Sequence, residues 1–310
     1  MDDATIAATE WTVDSGLHRR RYIMLQPRDA TAASLPVVID LHGSSITPED
    51  YVRVTGARSL ARKAVVVVPE AAIPFDIAPH LPPAAAAIAR TLPTATAWNV
   101  PGTPLPGDQE VRADDVDDVA FIGVLIDALV DRHGADPARI HLRGYSGGGR
   151  LASHIAAAMP HRIASLGCVA GIRYPEQPAP TMPPALAIHG RNDHLNRIEG
   201  RAGTHWDESV YSAVNRWAQH WRCVRHAEDI IHDGVRETRY ELADGSCPVR
   251  LIVIDEAQHS WPGTTDRRHI AMFGNSGTFS ASAAYWRFVQ EIEALNAPDY
   301  IADVITRENG

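Results

Sequence analysis

The stretch Arg139-Ile140-His141-Leu142-Arg143-Gly144-Tyr145-Ser146-Gly147-Gly148-Gly149-Arg150-Leu151 decides how the rest of the chain is read. Ile140 and Leu142 alternate as in a short buried strand. That strand runs straight into Gly144-Tyr145-Ser146-Gly147-Gly148, a G-x-S-x-G pattern, and then into a helical stripe of Leu151, Ile155 and Ala158 closed by Pro160. A serine on so tight a strand-to-helix turn needs small neighbours, since bulky ones would clash. Its hydroxyl then projects toward the N-terminus of the next helix, whose backbone N–H groups can meet negative charge. Taken alone, the pentapeptide could be a glycine-rich turn holding an ordinary serine. The strand–turn–helix context is what a nucleophile elbow requires.

Working outward, 310 residues with 45% apolar and 22% charged side chains fit one large α/β domain with a sizeable core, spanning 1–310. A net charge of −9 argues against nucleic acid or an anionic membrane surface as partner. No apolar run approaches the roughly 18–20 residues needed to span a bilayer. The start, Met1-Asp2-Asp3-Ala4-Thr5, is acidic and lacks the apolar core of a signal peptide. The chain as written therefore reads as cytoplasmic, or as a mature secreted or periplasmic form. Cys168, Cys223 and Cys247 match no zinc spacing, and neither a metal nor a cofactor is expected.

The pattern along the chain is one of strands alternating with helices. Trp11 to Val13 and Arg20 to Leu25, with Gly16 between, predict an opening antiparallel hairpin. Leu35 to Leu41 reads as a strand buried on both faces and ends in His42-Gly43-Ser44. Thr47, Pro48 and Asp50 then carry the signature of a helix start. Ala64 to Val68 is a second apolar strand. A Pro-rich insertion of about residues 70–114 follows, holding an Ala-rich helical piece at Ala84 to Ala89 and the pair Trp98-Asn99. A loop so long is usually functional or mobile. A helix over Asp115 to Val130 leads into the elbow strand. Strands at Ser165 to Ala170, Ala185 to Ile188 and Arg250 to Ile254 follow, with helices at Asp207 to Trp221 and near Ala284 to Ile292. This alternation predicts a mostly parallel central sheet flanked by helices on both faces.

An acyl-transfer serine needs a base, a group that orients the base, and donors for the oxyanion. Downstream of Ser146, the strand Ala185 to Ile188 ends in His189-Gly190-Arg191-Asn192-Asp193, which puts a carboxylate just past a strand end. The last strand runs into Asp255-Glu256-Ala257-Gln258-His259, so His259 belongs to the same rim. Asp255 and Glu256 compete with Asp193 for the acid role. His42 and His189 read as turn-stabilising residues.

The set Leu41-His42-Gly43, Gly144-Tyr145-Ser146-Gly147-Gly148, His189-Gly190-Arg191-Asn192-Asp193 and His259-Ser260-Trp261-Pro262-Gly263 resembles the polyhydroxybutyrate depolymerase and feruloyl esterase group of α/β-hydrolases, to which acetylxylan esterases are related. The likeness extends over about Tyr22 to Val289. It implies an α/β-hydrolase fold with Ser146 as nucleophile, Asp193 as acid, His259 as base, and the backbone N–H groups of Ser44 and Gly147 as the oxyanion hole. It further implies a disulfide between Cys223 and Cys247. The activity implied is hydrolysis of short acyl, hydroxyacyl or feruloyl-type esters. A serine peptidase of the same fold and a catalytically silent binding protein are the alternatives. Tyr145, Trp98 and Trp261 are expected to line the substrate pocket, as flat apolar walls, with a plain core anchor the equally weighted alternative for Trp98. Glu256-Ala257-Gln258 before His259 departs from the glycines usual in that group, as do the serines after Gly43.

Overall fold

The computed structural model describes residues 5–30, 32–103, 116–204 and 206–295. The chain opens with β1 (Ile6–Ser15) and β2 (His18–Pro27), which pair antiparallel about Gly16; its φ of 57° is a left-handed turn value natural to glycine. Next come β3 (Val37–Leu41), α1 (Pro48–Thr55), α2 (Ala57–Leu60) and β4 (Val65–Pro69). The insertion contributes β5 (Ile73–Phe75), α3 (Pro83–Ala89) and β6 (Ala95–Ala97), with β5 and β6 forming a small separate sheet. Its residues 104–114 lie outside the described residues, as does the expected helix start at Asp115.

α4 (Asp118–His133) then leads into β7 (Ile140–Tyr145) and α5 (Gly147–Ala158), the strand and helix of the elbow. β8 (Ser165–Val169), β9 (Ala185–Gly190) and α6 (Val210–His220) follow. The last part holds β10 (Arg225–His232), β11 (Val235–Glu241), β12 (Val249–Ile254), α7 (Arg267–Phe273) and α8 (Ala281–Leu295).

Among the described residues, ten strands form one sheet in the order β1-β2-β4-β3-β7-β8-β9-β12-β11-β10. The six from β4 to β12 run parallel, and an antiparallel hairpin closes each edge. Side chains alternate between two apolar layers, as strand geometry demands. Val37, Ile39 and Leu41 pack with Phe121, Leu151 and Trp217 of α4, α5 and α6. Val38 packs with Tyr51, Leu60 and Phe288 of α1, α2 and α8 on the other face. The second hairpin, β10–β11, is absent from the sequence reading. β10 is exposed along nearly its whole length, so it carries no inward-facing apolar period to read.

Helix ends follow local chemistry. Thr47 accepts the N–H of Asp50 (3.2 Å) with Pro48 in the first turn of α1, as expected. Asp117 caps α4 by accepting the N–H of Ala120 (2.8 Å), which places that helix start slightly later than the pattern suggested. Beneath the elbow, Asp40 of β3 and Arg143 of β7 form a wholly buried two-point ion pair at 2.5 and 3.0 Å. Tyr51 Oη donates to Asp40 (2.8 Å), and the guanidinium lies over Trp261 and Tyr285 at 4.9 and 5.1 Å. No helix among the described residues is long and apolar enough to cross a membrane.

Candidate active site

Because β3, β7, β9 and β12 are parallel, their C-terminal ends deliver four loops to one rim. These loops carry Ser44, Ser146, Asp193 and His259. Ser146 has φ 51°, a left-handed value that a side-chain-bearing residue holds only when its surroundings enforce it. The enforcement is visible: Ser146 donates its N–H to Val169 O (2.9 Å), and the neighbouring backbone is packed against it. A Cβ on Gly148 would fall 2.3 Å from Leu41 O, and one on Gly171 would fall 2.5 Å from Ser146 O. Glycine at these positions lets α5 sit directly on the ends of β3 and β8.

Three of the expected residues form one continuous chain of hydrogen bonds. His259 Nδ1 donates to Asp193 Oδ2 (2.7 Å), which leaves Nε2 to accept from Ser146 Oγ (3.0 Å). Asp193 is 4% exposed and its other oxygen accepts the N–H groups of Leu195 (2.9 Å) and Asn196 (2.8 Å). Burial alone would raise this carboxyl, but the charge and hydrogen bond of His259 outweigh it, and the group is held below the usual aspartate range. Asp255 instead pairs with Arg191 (2.6 Å) at the surface. The Glu256 carboxylate lies toward Gly277, and the two ring nitrogens of His259 are taken by Asp193 and Ser146, so neither competing carboxylate holds the base.

Ser44 follows β3 as expected and lies against the elbow. A Cβ on Gly147 would meet Ser44 Oγ at 2.4 Å and Ser44 N at 3.5 Å. Gly147 is the first residue of α5, so its N–H has no partner within the helix. The loop carrying Ser44 thus packs directly against Gly147 at the start of α5, next to Ser146.

The neighbouring histidines hold turns. His42 Nδ1 donates to Gly43 O (2.8 Å) while Nε2 accepts from the Ala71 N–H (3.1 Å), and burial lowers it to about 4. His269, lowered to about 3 by burial and by the charge of His259, accepts the N–H of Trp261 (3.2 Å). His189 donates to Asn196 O (2.7 Å), supporting the turn that carries Asp193.

The three aromatic residues expected to line a pocket are all buried, and Trp261 also lines a cavity of about 420 Å³ that holds none of the triad residues. Trp98 is 1% exposed; its indole donates to His42 O (2.7 Å) and its ring packs on the His42 ring, so it anchors the turn before Ser44. Trp261, also 1% exposed, is wedged between Tyr51, Tyr145 and Arg143. Tyr145 is buried with its hydroxyl donating to His259 O (2.5 Å), so it fixes the loop of the base rather than facing a ligand.

The expected disulfide is likewise not present. Cys223 and Cys247 are free thiols, as is Cys168. Cys247 Sγ turns to the Val249 carbonyl of its own segment (3.5 Å). Burial, and then the nearness of Cys247, pushes Cys223 up to about 11, so both stay protonated thiols.

Two residues escaped the sequence reading. Asn196 ties the acid turn to the end of β8 by donating to Ala170 O (2.7 Å). Arg150 lies on α5 one turn after Ser146 and is 5% exposed, on the face shared with Gly147, Ser153 and His154. Cavities of about 420, 390 and 440 Å³ among the described residues contain none of the triad residues, so side-chain geometry rather than cavity size locates the chemistry. No cluster of three or more metal-ligating side chains occurs among the described residues.

No protein-family model matches the chain. Over 286 residues it is 29% identical to NocK of Nocardia uniformis subsp. tsuyamanensis, a protein assigned by name as an esterase, covering 85% of this chain and 76% of that one. Acetyl xylan esterase from Aspergillus awamori superposes with a TM-score of 0.57 at 14% identity, over 86% of this chain and 99% of the other. Oligopeptidase B from Leishmania major superposes with a TM-score of 0.52 at 11% identity, over 94% of this chain but only 37% of the longer one. The sheet order, the helical layers and these likenesses together make the fold an α/β-hydrolase fold.

Proposed function

We propose that the protein is a serine carboxylic-ester hydrolase that works through an acyl-enzyme. The observation that carries this is the unbroken chain from Asp193 to His259 (2.7 Å) to Ser146 (3.0 Å), on a rim where the serine backbone is held at φ 51°. Ser146 Oγ attacks the ester carbonyl as His259 Nε2 takes its proton. Asp193 keeps the Nδ1 proton in place and stabilises the imidazolium. The N–H groups of Ser44 and Gly147 receive the developing oxyanion. Collapse expels the alcohol with the proton from His259, and water then repeats the sequence on the acyl-enzyme. The names of NocK and of the Aspergillus enzyme support an ester as the substrate.

The acyl group is short or hydroxylated, in keeping with the motifs shared with polyhydroxybutyrate depolymerases, and feruloyl-type aromatic esters are turned over more weakly. The test is a panel of p-nitrophenyl acetate, butyrate, octanoate and palmitate, with methyl ferulate, hydroxybutyrate oligomers and a peptide anilide. The expected maximum of kcat/KM lies at butyrate or shorter. A maximum at octanoate or beyond would refute the short-acyl assignment, and faster cleavage of the anilide would make the protein a peptidase.

A further inference from the structure

Arg150 sits three residues after Gly147 and therefore on the same face of α5. Its Nε and Nη1 are sealed from solvent and, among the described residues, have no hydrogen-bond partner. Its Nη2 points to the rim, 3.6 Å from where a Cβ on Gly147 would sit, a point also 3.5 Å from Ser44 N. Arg150 Nη2 and Ser44 N thus approach one point beside Gly147, the residue that follows the nucleophile.

Among the described residues, the two other buried arginines are each answered by a carboxylate. Arg143 has Asp40, and Arg20 has Asp118 at 2.7 Å. Arg173, whose charge reaches Arg150, lies on Trp206 (3.5 Å), donates to Glu208 O (2.7 Å) and feels the charges of Glu208 and Asp207. The charge felt by Arg150 itself is the like charge of Arg173. Burial, and then that repulsion, lowers Arg150 to about 10, so it remains a cation at neutral pH. A buried guanidinium without a carboxylate partner is costly, and Nη2, which is not one of the two sealed nitrogens, is the donor to which an incoming ligand can bring an acceptor.

We propose that Arg150 anchors an anion subsite beside the nucleophile, and that the preferred esters carry a carboxylate within a few bonds of the scissile carbonyl. This rests on the esterase assignment of Ser146, and it narrows the substrate from short esters in general to acidic ones. The carboxylate belongs either to the acyl part, as in half-esters of short dicarboxylic acids, or to the alcohol part, as in acylated hydroxy acids. Either gives the guanidinium a charge-assisted partner while the ester carbonyl faces Ser44 and Gly147.

The test has two arms. In the first, kcat/KM is measured for monomethyl succinate against methyl pentanoate, and for butyryloxyacetate against propyl butyrate, in wild type, Arg150→Met and Arg150→Lys. At least one acidic ester is expected to exceed its neutral counterpart by tenfold or more, and which pair does so identifies the side that carries the charge. In Arg150→Met that ratio is expected to fall by roughly 30-fold, the effect of losing a hydrogen bond to a charged group. Arg150→Lys is expected to retain part of it. No preference for either acidic ester, or a ratio unchanged in Arg150→Met, overturns the subsite. An equal fall for both members of a pair overturns it too, since Arg150 would then serve only the transition state or the fold.

The second arm measures binding of monomethyl succinate and of butyryloxyacetate by calorimetry to the Ser146→Ala protein, with and without Arg150→Met. Binding of either acid that is lost with Arg150 supports the subsite even if wild type hydrolyses no ester, in which case only the esterase assignment fails. Ester hydrolysis without such binding leaves the esterase standing and removes the subsite.

Discussion

Removing one partner of the buried Asp40–Arg143 pair should destabilise the protein far more than removing both. The two side chains are wholly buried and meet at 2.5 and 3.0 Å, with Tyr51 as a further donor to the carboxylate. Arg143→Met leaves Asp40 with the Tyr51 hydroxyl at 2.8 Å; Asp40→Leu leaves Arg143 with Ser282 Oγ at 3.3 Å and two aromatic faces. An uncompensated buried charge costs about 3–5 kcal/mol. Against a typical total of about 5–15 kcal/mol, that is a large fraction of the stability. At about 2–4 °C per kcal/mol, each single variant should lose on the order of 10 °C in Tm. The double variant Asp40→Leu/Arg143→Met buries no charge, so its loss should fall short of the sum of the singles by about 2 kcal/mol or more. Urea midpoints at constant m-value measure all three. Because β3 and β7 lead to Ser44 and Ser146, the single variants should also lower kcat. Losses below about 1 kcal/mol for the singles, or strict additivity in the cycle, would refute the reasoning.

The remaining predictions concern the acid, the buried histidines and the elbow. Asp193→Asn should lower kcat by roughly 10⁴-fold through loss of tautomer control, whereas Asp255→Asn should be mild because that side chain pairs with Arg191 at the surface; a reversed order in steady-state kinetics would move the acid to the last loop. His42 and His269 are held at about 4 and about 3, against an ordinary value near 6.5, so between these limits the unfolded chain binds more protons than the folded one. Stability should therefore be intact above about pH 6.5 and fall on acidification, by roughly 2 kcal/mol per histidine at pH 5, and a flat urea midpoint between pH 7 and 5 would contradict this. Gly148→Ala places a methyl 2.3 Å from Leu41 O and should cost at least about 1–3 kcal/mol while displacing Ser146, read as a lower Tm together with a kcat drop.

Much of the site was legible because each part is short-range. The glycines around Ser146 report a close backbone approach that any neighbour would forbid, and the late Asp193 and His259 each follow an apolar strand that fixes their rim. The acid was ambiguous in sequence because Asp193, Asp255 and Glu256 all follow strands; the Arg191–Asp255 pair, formed across 64 positions, separates them only in space. Trp98, Tyr145 and Trp261 were ambiguous for a related reason. An aromatic residue near a strand end suits a ligand or a core equally well, and its hydrogen-bond partner decides which. The β10–β11 hairpin left no period because little of β10 is buried. Arg150 stands in the sequence on the polar face of α5, with Ser153 and His154. That its donors lack an acceptor depends on every element around it.

The most direct measurement is a fluorophosphonate label on the intact protein, followed by peptide mass mapping and turnover of p-nitrophenyl butyrate. Label is expected on Ser146 at one equivalent per chain, with turnover lost in step. Ser146→Ala, folded by circular dichroism, should take no label and keep less than about a hundredth of wild-type kcat. Label on another residue, or a Ser146→Ala protein that still turns over above that level, would contradict the assignment of Ser146 as the nucleophile.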